Sequence, residues 1–374
     1  PVTPSTQEQI QYVDNQYIVT LSDAASAGVQ SVSGVRSIIS GLFQSYGISE
    51  SNLIFVYEAA IKGFCAKLTP AEIGMISKDS RVSSVEQDRI IRLEEPIVTY
   101  YNGKESQIQT QGQNWGVNYV GANITADFSN STRKAWIIDT GIDDSWRTAD
   151  ELNIQTSQCT TFVSTETWPD QNGHGTHVSG IIGAKNNSIG AVGVAPGAKL
   201  VAVKVLDYTG SGTYSGVIAG VNYVAVNASD GDVANMSLGG GASSTMDNAV
   251  VNASTYGGKH IRFCLAAGNN SRSAKNYSPA RANGTYIFTI SAFDVNGRFA
   301  SFSNYGNPPI DFSGPGVSIT STVLYASSPN TASWSGTSMA TPFATGVYYA
   351  TGTINWSGYV TNDRDRKPDK KVHF

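Results

Sequence analysis

Cysteine, charge and long apolar runs are all in short supply. Three cysteines in 374 residues (Cys65, Cys159, Cys264) do not make a disulfide framework; at most one pair could close, and the sequence does not say which. Charged residues make up 14%, and a net charge of −4 offers no basic surface to hold nucleic acid or an anionic membrane. No apolar run approaches the roughly 18 residues needed to span a bilayer. The sequence opens at Pro1 without a basic, apolar leader, so any secretion signal is expected to have been removed already or never included. What is abundant is small and polar: 38 glycines with many Ser, Thr and Asn, over a hydrophobic content of 40%. That mixture suits a loop-rich α/β protein, and the length suits one large domain with a smaller companion.

The first hundred residues supply the smaller unit. Tyr17 to Leu21 alternates as a strand, Val32 to Tyr46 repeats apolar residues at helical spacing, and Leu53 to Tyr57 and Gly63 to Leu68 read as strands. Thr69-Pro70 opens a second helix as N-cap and first-turn proline, and Val82 to Leu93 is a last strand. The order β-α-β-β-α-β is that of a ferredoxin-like α+β domain. From Trp115 onward, apolar strands (Ala135 to Ile138, Leu200 to Val205, Asp232 to Met236, Ile261 to Ala266, Tyr286 to Ser291) alternate with helical segments (His174 to Ala184, Thr213 to Val226, Thr245 to Tyr256). Short aliphatic strands separated by helices predict a doubly wound parallel sheet, with ligands beyond the strands' carboxyl ends.

Three residues at such places carry chemistry. Asp139 directly follows a buried strand, where a carboxylate must be paired or hydrogen-bonded. An Asx turn with Thr140-Gly141 would satisfy it, and so would a histidine. His174 starts a helix with glycine on both sides, in Asn172-Gly173-His174-Gly175-Thr176-His177-Val178. His177 reads as a structural polar residue, and the Glu that a His-Glu-x-x-His metal site needs is absent. Ser338, in Ser335-Gly336-Thr337-Ser338-Met339-Ala340-Thr341-Pro342, sits at a helix start where unpaired N–H groups favour developing negative charge. Alone it reads as a capping loop. After an acid and a base, in the order Asp…His…Ser, it reads as a nucleophile.

Together these motifs resemble the subtilisin-like serine proteases, and the likeness runs from about Tyr17 to Gly346. The resemblance implies a secreted serine endopeptidase in which Ser338 attacks, His174 moves the proton and Asp139 orients His174. It implies that Asn269, ending Leu265-Ala266-Ala267-Gly268-Asn269, donates to the oxyanion, although Gly-Asn is otherwise a plain turn. Gly210-Ser211-Gly212 and Ser237-Leu238-Gly239 would pair with an extended substrate backbone. Leu238-Gly239 and Ala266-Ala267-Gly268 would wall a broad apolar pocket with Tyr277 beside it. Segments around Asn276, Phe302 and Gly314 resemble the proteinase K branch. The small unit then resembles the family's inhibitory propeptide. On this reading residues 14–94 are the inhibitory domain, 95–112 a cleft-binding linker with the processing site, 113–357 the catalytic domain and 358–374 a charged tail. The expected partners are polypeptide substrates and the chain's own propeptide, with no nucleic acid, no membrane and a monomeric enzyme.

Lys185-Asn186-Asn187-Ser188-Ile189-Gly190-Ala191 resembles the calcium loop of the bacterial subtilisins. The resemblance implies a structural Ca²⁺ held by the carbonyls of Lys185, Ile189 and Ala191, the side chain of Asn187 and an upstream acid, Asp150 or Glu151, with no catalytic metal. An Asn-rich turn is the alternative. The family pattern breaks after Pro342, where Phe343-Ala344 replace His and Val, and Asp363 to Lys371 reads as a solvated tail. Two rival functions stay open. One is a non-catalytic binding protein on the same scaffold; the other is an acid peptidase, which would carry Glu in place of His174 and Asp in place of Asn269.

Overall fold

The computed structural model describes residues 10–29, 31–93, 97–98, 111, 114–326 and 330–374. The small unit runs strand Tyr12–Leu21, helix Val32–Tyr46, strands Leu53–Tyr57 and Gly63–Lys67, helix Pro70–Ile76 and strand Val82–Arg92. Local signals set its helix ends. Ser31 caps the first helix by accepting from Gly34 N–H, and Gly47, at φ +65°, ends it in the left-handed region. Thr69 and Glu72 form a reciprocal capping box at the second, with Pro70 in its first turn. The four strands pair antiparallel in the order Val82–Arg92, Tyr12–Leu21, Gly63–Lys67, Leu53–Tyr57. Because side chains alternate along a strand, Val19 and Phe64 pack on the helix residues Val35, Ile39 and Phe43. Ile18, Tyr57, Cys65 and Ile91 instead share a core with Tyr214, Ile218 and Ala249 of the larger unit.

The larger unit is built on a sheet of ten strands among the described residues. Six central strands lie parallel in the order Ile310–Pro315, Ile287–Phe293, Arg262–Ala266, Val233–Met236, Ala135–Asp139, Lys199–Lys204. Helices Tyr214–Asn227 and Ser244–Thr255 cover one face; His174–Gly183 and Thr337–Thr351 cover the other. The expected doubly wound sheet is therefore present. Ala135–Asp139 comes first in the chain, and its successors Lys199–Lys204 and Val233–Met236 lie on opposite sides of it. Its carboxyl end is thus the point where strand order reverses, the place where such sheets leave a crevice. Asp139 occupies that end.

The two units share a sheet. Ser211–Thr213 adds to the free edge of Val82–Arg92, pairing Thr213 with Ile90, Gly212 with Ile91 and Ser211 with Arg92, and Leu93 N–H donates to the Gly210 carbonyl at 2.9 Å.

The expectation of a solvated tail over Asp363 to Lys371 is corrected at its C-terminal end. Lys370–His373 pairs parallel with Ile310–Pro315 and antiparallel with Asn355–Tyr359, and Asp369 and Val372 are only 3% and 1% exposed. The charges misled because the fold supplies each with a partner: Asp369 accepts from Ser291 and Asn307, Lys370 lies over the Trp356 ring and Lys371 donates to the Tyr119 hydroxyl. No helix among the described residues is long and apolar enough to cross a membrane.

Candidate active site

Asp139 is wholly buried at its strand end. Its Oδ1 accepts from Thr140 N–H at 2.7 Å and lies 2.8 Å from His174 Nδ1. A carboxylate acceptor assigns the proton to Nδ1 and leaves Nε2 as the basic nitrogen. His174 begins its helix directly after Gly173, which caps it at φ +106°. The next residue has to be glycine, since a Cβ on Gly175 would lie 2.2 Å from the Gly141 carbonyl oxygen. Buried Asp170 satisfies the helix's first amides, accepting from Asn172, Gly173 and Thr176 N–H at 2.9–3.0 Å. His177 is structural, as expected. Its Nε2 donates to the Ala332 carbonyl at 3.1 Å, it stacks on Trp334, and burial pushes its pKa down to about 3.

Ser338 is the second residue of the Thr337–Thr351 helix, which packs against the His174 helix. Its hydroxyl donates to the Ser237 carbonyl at 3.1 Å, and the Ser237 hydroxyl donates back to the Ser338 carbonyl at 2.9 Å. Asn269 ends the turn after Arg262–Ala266. Its Oδ1 accepts both from Thr337 N–H at 2.8 Å and from the Thr337 hydroxyl at 2.9 Å. Those two donors identify the oxygen end of the amide and leave the NH₂ as the donor end. Ser338 and Asn269 line one open pocket of about 350 Å³, with Ser237, Leu238, Gly239, Ala266, Ala267 and Gly268 in its walls. Tyr277 and Ala280 also line it. The left-handed turn at Gly268 is braced by Asn304, whose Nδ2 donates to the Ala267 carbonyl at 2.9 Å.

Gly210, Ser211 and Gly212, the other segment expected to pair with a substrate backbone, are already paired with Ile90 to Leu93 as described. A little further on, Ile97–Val98 pairs antiparallel with Trp334 and Ser335. Apart from Gln111, the remainder of the expected linker, with its Asn102-Gly103 turn, lies outside the described residues.

The calcium-loop residues come together in part. The side-chain nitrogen of Gln111 donates to the Lys185 carbonyl at 2.6 Å, the Ala191 carbonyl at 3.1 Å and Asn187 Oδ1 at 3.3 Å. Three oxygens therefore surround one point, and reversing the Gln111 amide adds a fourth. Of the two candidate acids, Glu151 faces this loop, accepting from Ala191 N–H at 2.9 Å and Asn187 Nδ2 at 2.8 Å. Asp150 is instead turned outward to an ion pair with Lys185. Ile189 contributes its N–H, donated to Asn187 Oδ1 at 2.8 Å; no described contact brings in its carbonyl. Carbonyl and amide oxygens with one carboxylate suit a hard cation. No group of three or more His, Cys, Asp or Glu among the described residues could hold a metal. Sequence reasoning missed Gln111, Thr337, Asn304 and Asp170. Only Asp170, two residues before the Asn172–Val178 motif, bore a readable capping signal.

Residues 130–350 match the subtilase family, and residues 16–94 match peptidase inhibitor I9. The chain is 40% identical to alkaline serine exoprotease A of Vibrio alginolyticus, over 78% of this chain and 52% of that protein. It therefore spans about half the length of that relative. It is 36% identical to subtilisin NAT of Bacillus subtilis subsp. natto, over 89% of this chain and 79% of that protein. The crystal structure of a cold adapted subtilisin-like serine proteinase is similar at TM-score 0.59 and 35% identity, covering 69% of this chain and 97% of that one. The chain belongs to the subtilase family.

Proposed function

We propose that this protein is a serine endopeptidase made as a self-inhibited precursor. In the reaction the Ser338 hydroxyl turns from the Ser237 carbonyl toward His174 and attacks the scissile carbonyl carbon as Nε2 takes its proton. Asp139 holds the imidazole and stabilises its charged form. Asn269 NH₂ and the Ser338 N–H receive the oxyanion at the helix start. The protonated His174 then gives its proton to the leaving amine, and water hydrolyses the acyl-enzyme. The 2.8 Å contact between His174 Nδ1 and Asp139, at the strand-order reversal, carries this reading. The apolar walls of the pocket support a preference for apolar residues before the cut. The added strand Ile90 to Leu93 pairs with the segment expected to hold a substrate backbone, which supports the I9 segment as the chain's own inhibitor. The naming of a Thermus relative as an extracellular serine proteinase supports secretion.

With Leu93 held by Gly210 and Ile97 by Ser335, the flanking register supports self-cleavage between them. Replacing Ser338 by Ala is expected to abolish peptide hydrolysis and fluorophosphonate labelling and to leave the chain uncut. The active chain should show by intact mass a new terminus between Glu94 and Ile97. Labelling that persists in the alanine variant would place the nucleophile elsewhere, and a parent chain that is neither labelled nor active would reopen the binding-protein alternative.

We also infer a structural Ca²⁺ held by the carbonyls of Lys185 and Ala191, the side-chain oxygens of Asn187 and Gln111, and Glu151. Bound there, the ion would neutralise a buried carboxylate and tie Gln111 to the loop.

A further inference from the structure

Beneath the Asp139–His174 pair lies a charged group that the mechanism above does not use. Lys204 ends the strand next to Ala135–Asp139, directly opposite Asp139 in register, and its side chain is 0% exposed. A buried ammonium is costly unless it is hydrogen-bonded and paired, and here two carbonyls accept from it and a carboxylate lies beside it. Nζ donates to the Thr140 carbonyl at 2.6 Å and to the Leu206 carbonyl at 2.8 Å, and lies 3.0 Å from Glu166 Oε2.

Each partner leads to a different part of the site. Thr140 is a hub: its N–H donates to Asp139 Oδ1 at 2.7 Å, and its hydroxyl accepts from Gly175 N–H, next to His174, at 2.9 Å. Leu206 opens the loop that returns as the substrate-binding edge, and bridges across to Gly212. Glu166 uses its other oxygen on that same loop, accepting from Tyr208 N–H at 3.1 Å.

We propose that Lys204 and Glu166 form a buried ionic tie that positions the Asp139–His174 pair relative to the substrate-binding edge Gly210–Thr213. Both are positioning residues, since neither touches the reacting atoms, and the assignment rests on the endopeptidase reading. A tie of this kind keeps the acid, the base and the bound backbone in one frame, where small misplacements are expensive. It is also electrically balanced, one cation against one anion near His174.

The other charged or titratable groups around His174 are few. Asp139 ends the packed strand, Asp170 lies just before the His174 helix and neutral His177 on it, and Lys199 is on the Lys199–Lys204 strand. The packed Ile319–Thr322 strand carries no ionisable side chain, and the Thr337–Thr351 helix carries only Tyr348 and Tyr349, whose pKa values burial raises.

Removing one member of the tie therefore leaves an uncompensated charge of known sign, and this separates positioning from simple structural support. The test uses the self-processed enzyme and the pH profile of kcat/KM, whose acid limb reports His174. Lys204→Met leaves the Glu166 anion, which favours the imidazolium, so the limb should move up. Glu166→Gln leaves the Lys204 cation and should move it down, each by about 0.3 pH unit or more. The double variant should restore the limb, while KM for an extended peptide stays raised severalfold over that for a short one. Lys204→Arg, which keeps the charge, should leave the limb in place.

Fluorophosphonate labelling counts the folded, competent fraction in every variant, so a folding defect shows as lost sites rather than a moved limb. Should Lys204→Met not fold, Glu166→Gln decides on its own. Limbs that shift in the same direction, or stay put at full labelling, overturn the proposal. An unlabelled, inactive parent enzyme would instead sink the endopeptidase reading.

Discussion

Asn269 illustrates how one amide is aimed. Two bonds from Thr337 engage its oxygen, so its orientation is fixed before any substrate arrives. Replacing Asn269 by Ala should cut kcat by about 10²–10³ with little change in KM, the cost known for losing this kind of donor in subtilisin, a member of the same family. Steady-state kinetics on a peptide anilide would check it. Gln111 makes a comparable point about the cation site. A calcium chelator should lower the melting temperature of the parent chain, and Gln111→Ala should shrink that difference. A melting curve indifferent to chelator would count against the ion. The two residues differed in legibility. Asn269 stood at the end of an apolar strand in a distinctive Ala-Ala-Gly-Asn string. Gln111 lay in a polar, glutamine-rich stretch with no periodicity to single it out, and its partners are 74 to 80 positions away.

Among elements, the helix Tyr214–Asn227 does double duty. It closes the sheet of the larger unit, and it presents Asn222, whose Oδ1 accepts from Glu58, Ala59 and Ala60 N–H at 2.8–3.1 Å. Asn222→Ala strips three amides of their acceptor. Inhibition in trans by a peptide of residues 1–93 should weaken about tenfold or more, with hydrolysis of a short substrate unchanged. Inhibition titrations with both enzymes would show it. Most elements could be read from the chain because their physics is local. The helix Val32–Tyr46 is marked by spacing and a cap, and Ala135–Asp139 by a short apolar run, Ala135 to Ile138. Ile310–Pro315 was not readable, since Asp311, Ser313 and Gly314 break its apolar run and the fold supplies their partners. Lys370–His373 was hidden for the same reason, since its two lysines find the Trp356 and Tyr119 rings only in the fold.

Across the whole molecule, the C-terminal strand makes stability depend on pH. Asp369 is buried beside Ser291 and Asn307, and burial with nearby Asp363 pushes its pKa up to about 7. A carboxyl raised in the folded state holds its proton longer than in the unfolded chain. Stability from this group therefore falls as pH climbs from about 4 to about 7 and stays low above that. Asp369→Asn, which cannot ionise, should remove the fall, gaining on the order of 4 kcal/mol over the parent at pH 8 and nothing at pH 4. Urea unfolding in a Ser338→Ala background, which prevents self-digestion, would measure it.

An open strand margin is an invitation for stray chains to zip on. The bank formed by Ser211–Thr213 is such a margin, and in the newly made chain Ile90 to Arg92 already occupies it. On the proposed function, the pairing that would withhold the cleft from substrate would also keep fresh molecules from clumping. With the cover gone, the adhesive margin and the ability to digest whatever settles there would appear together.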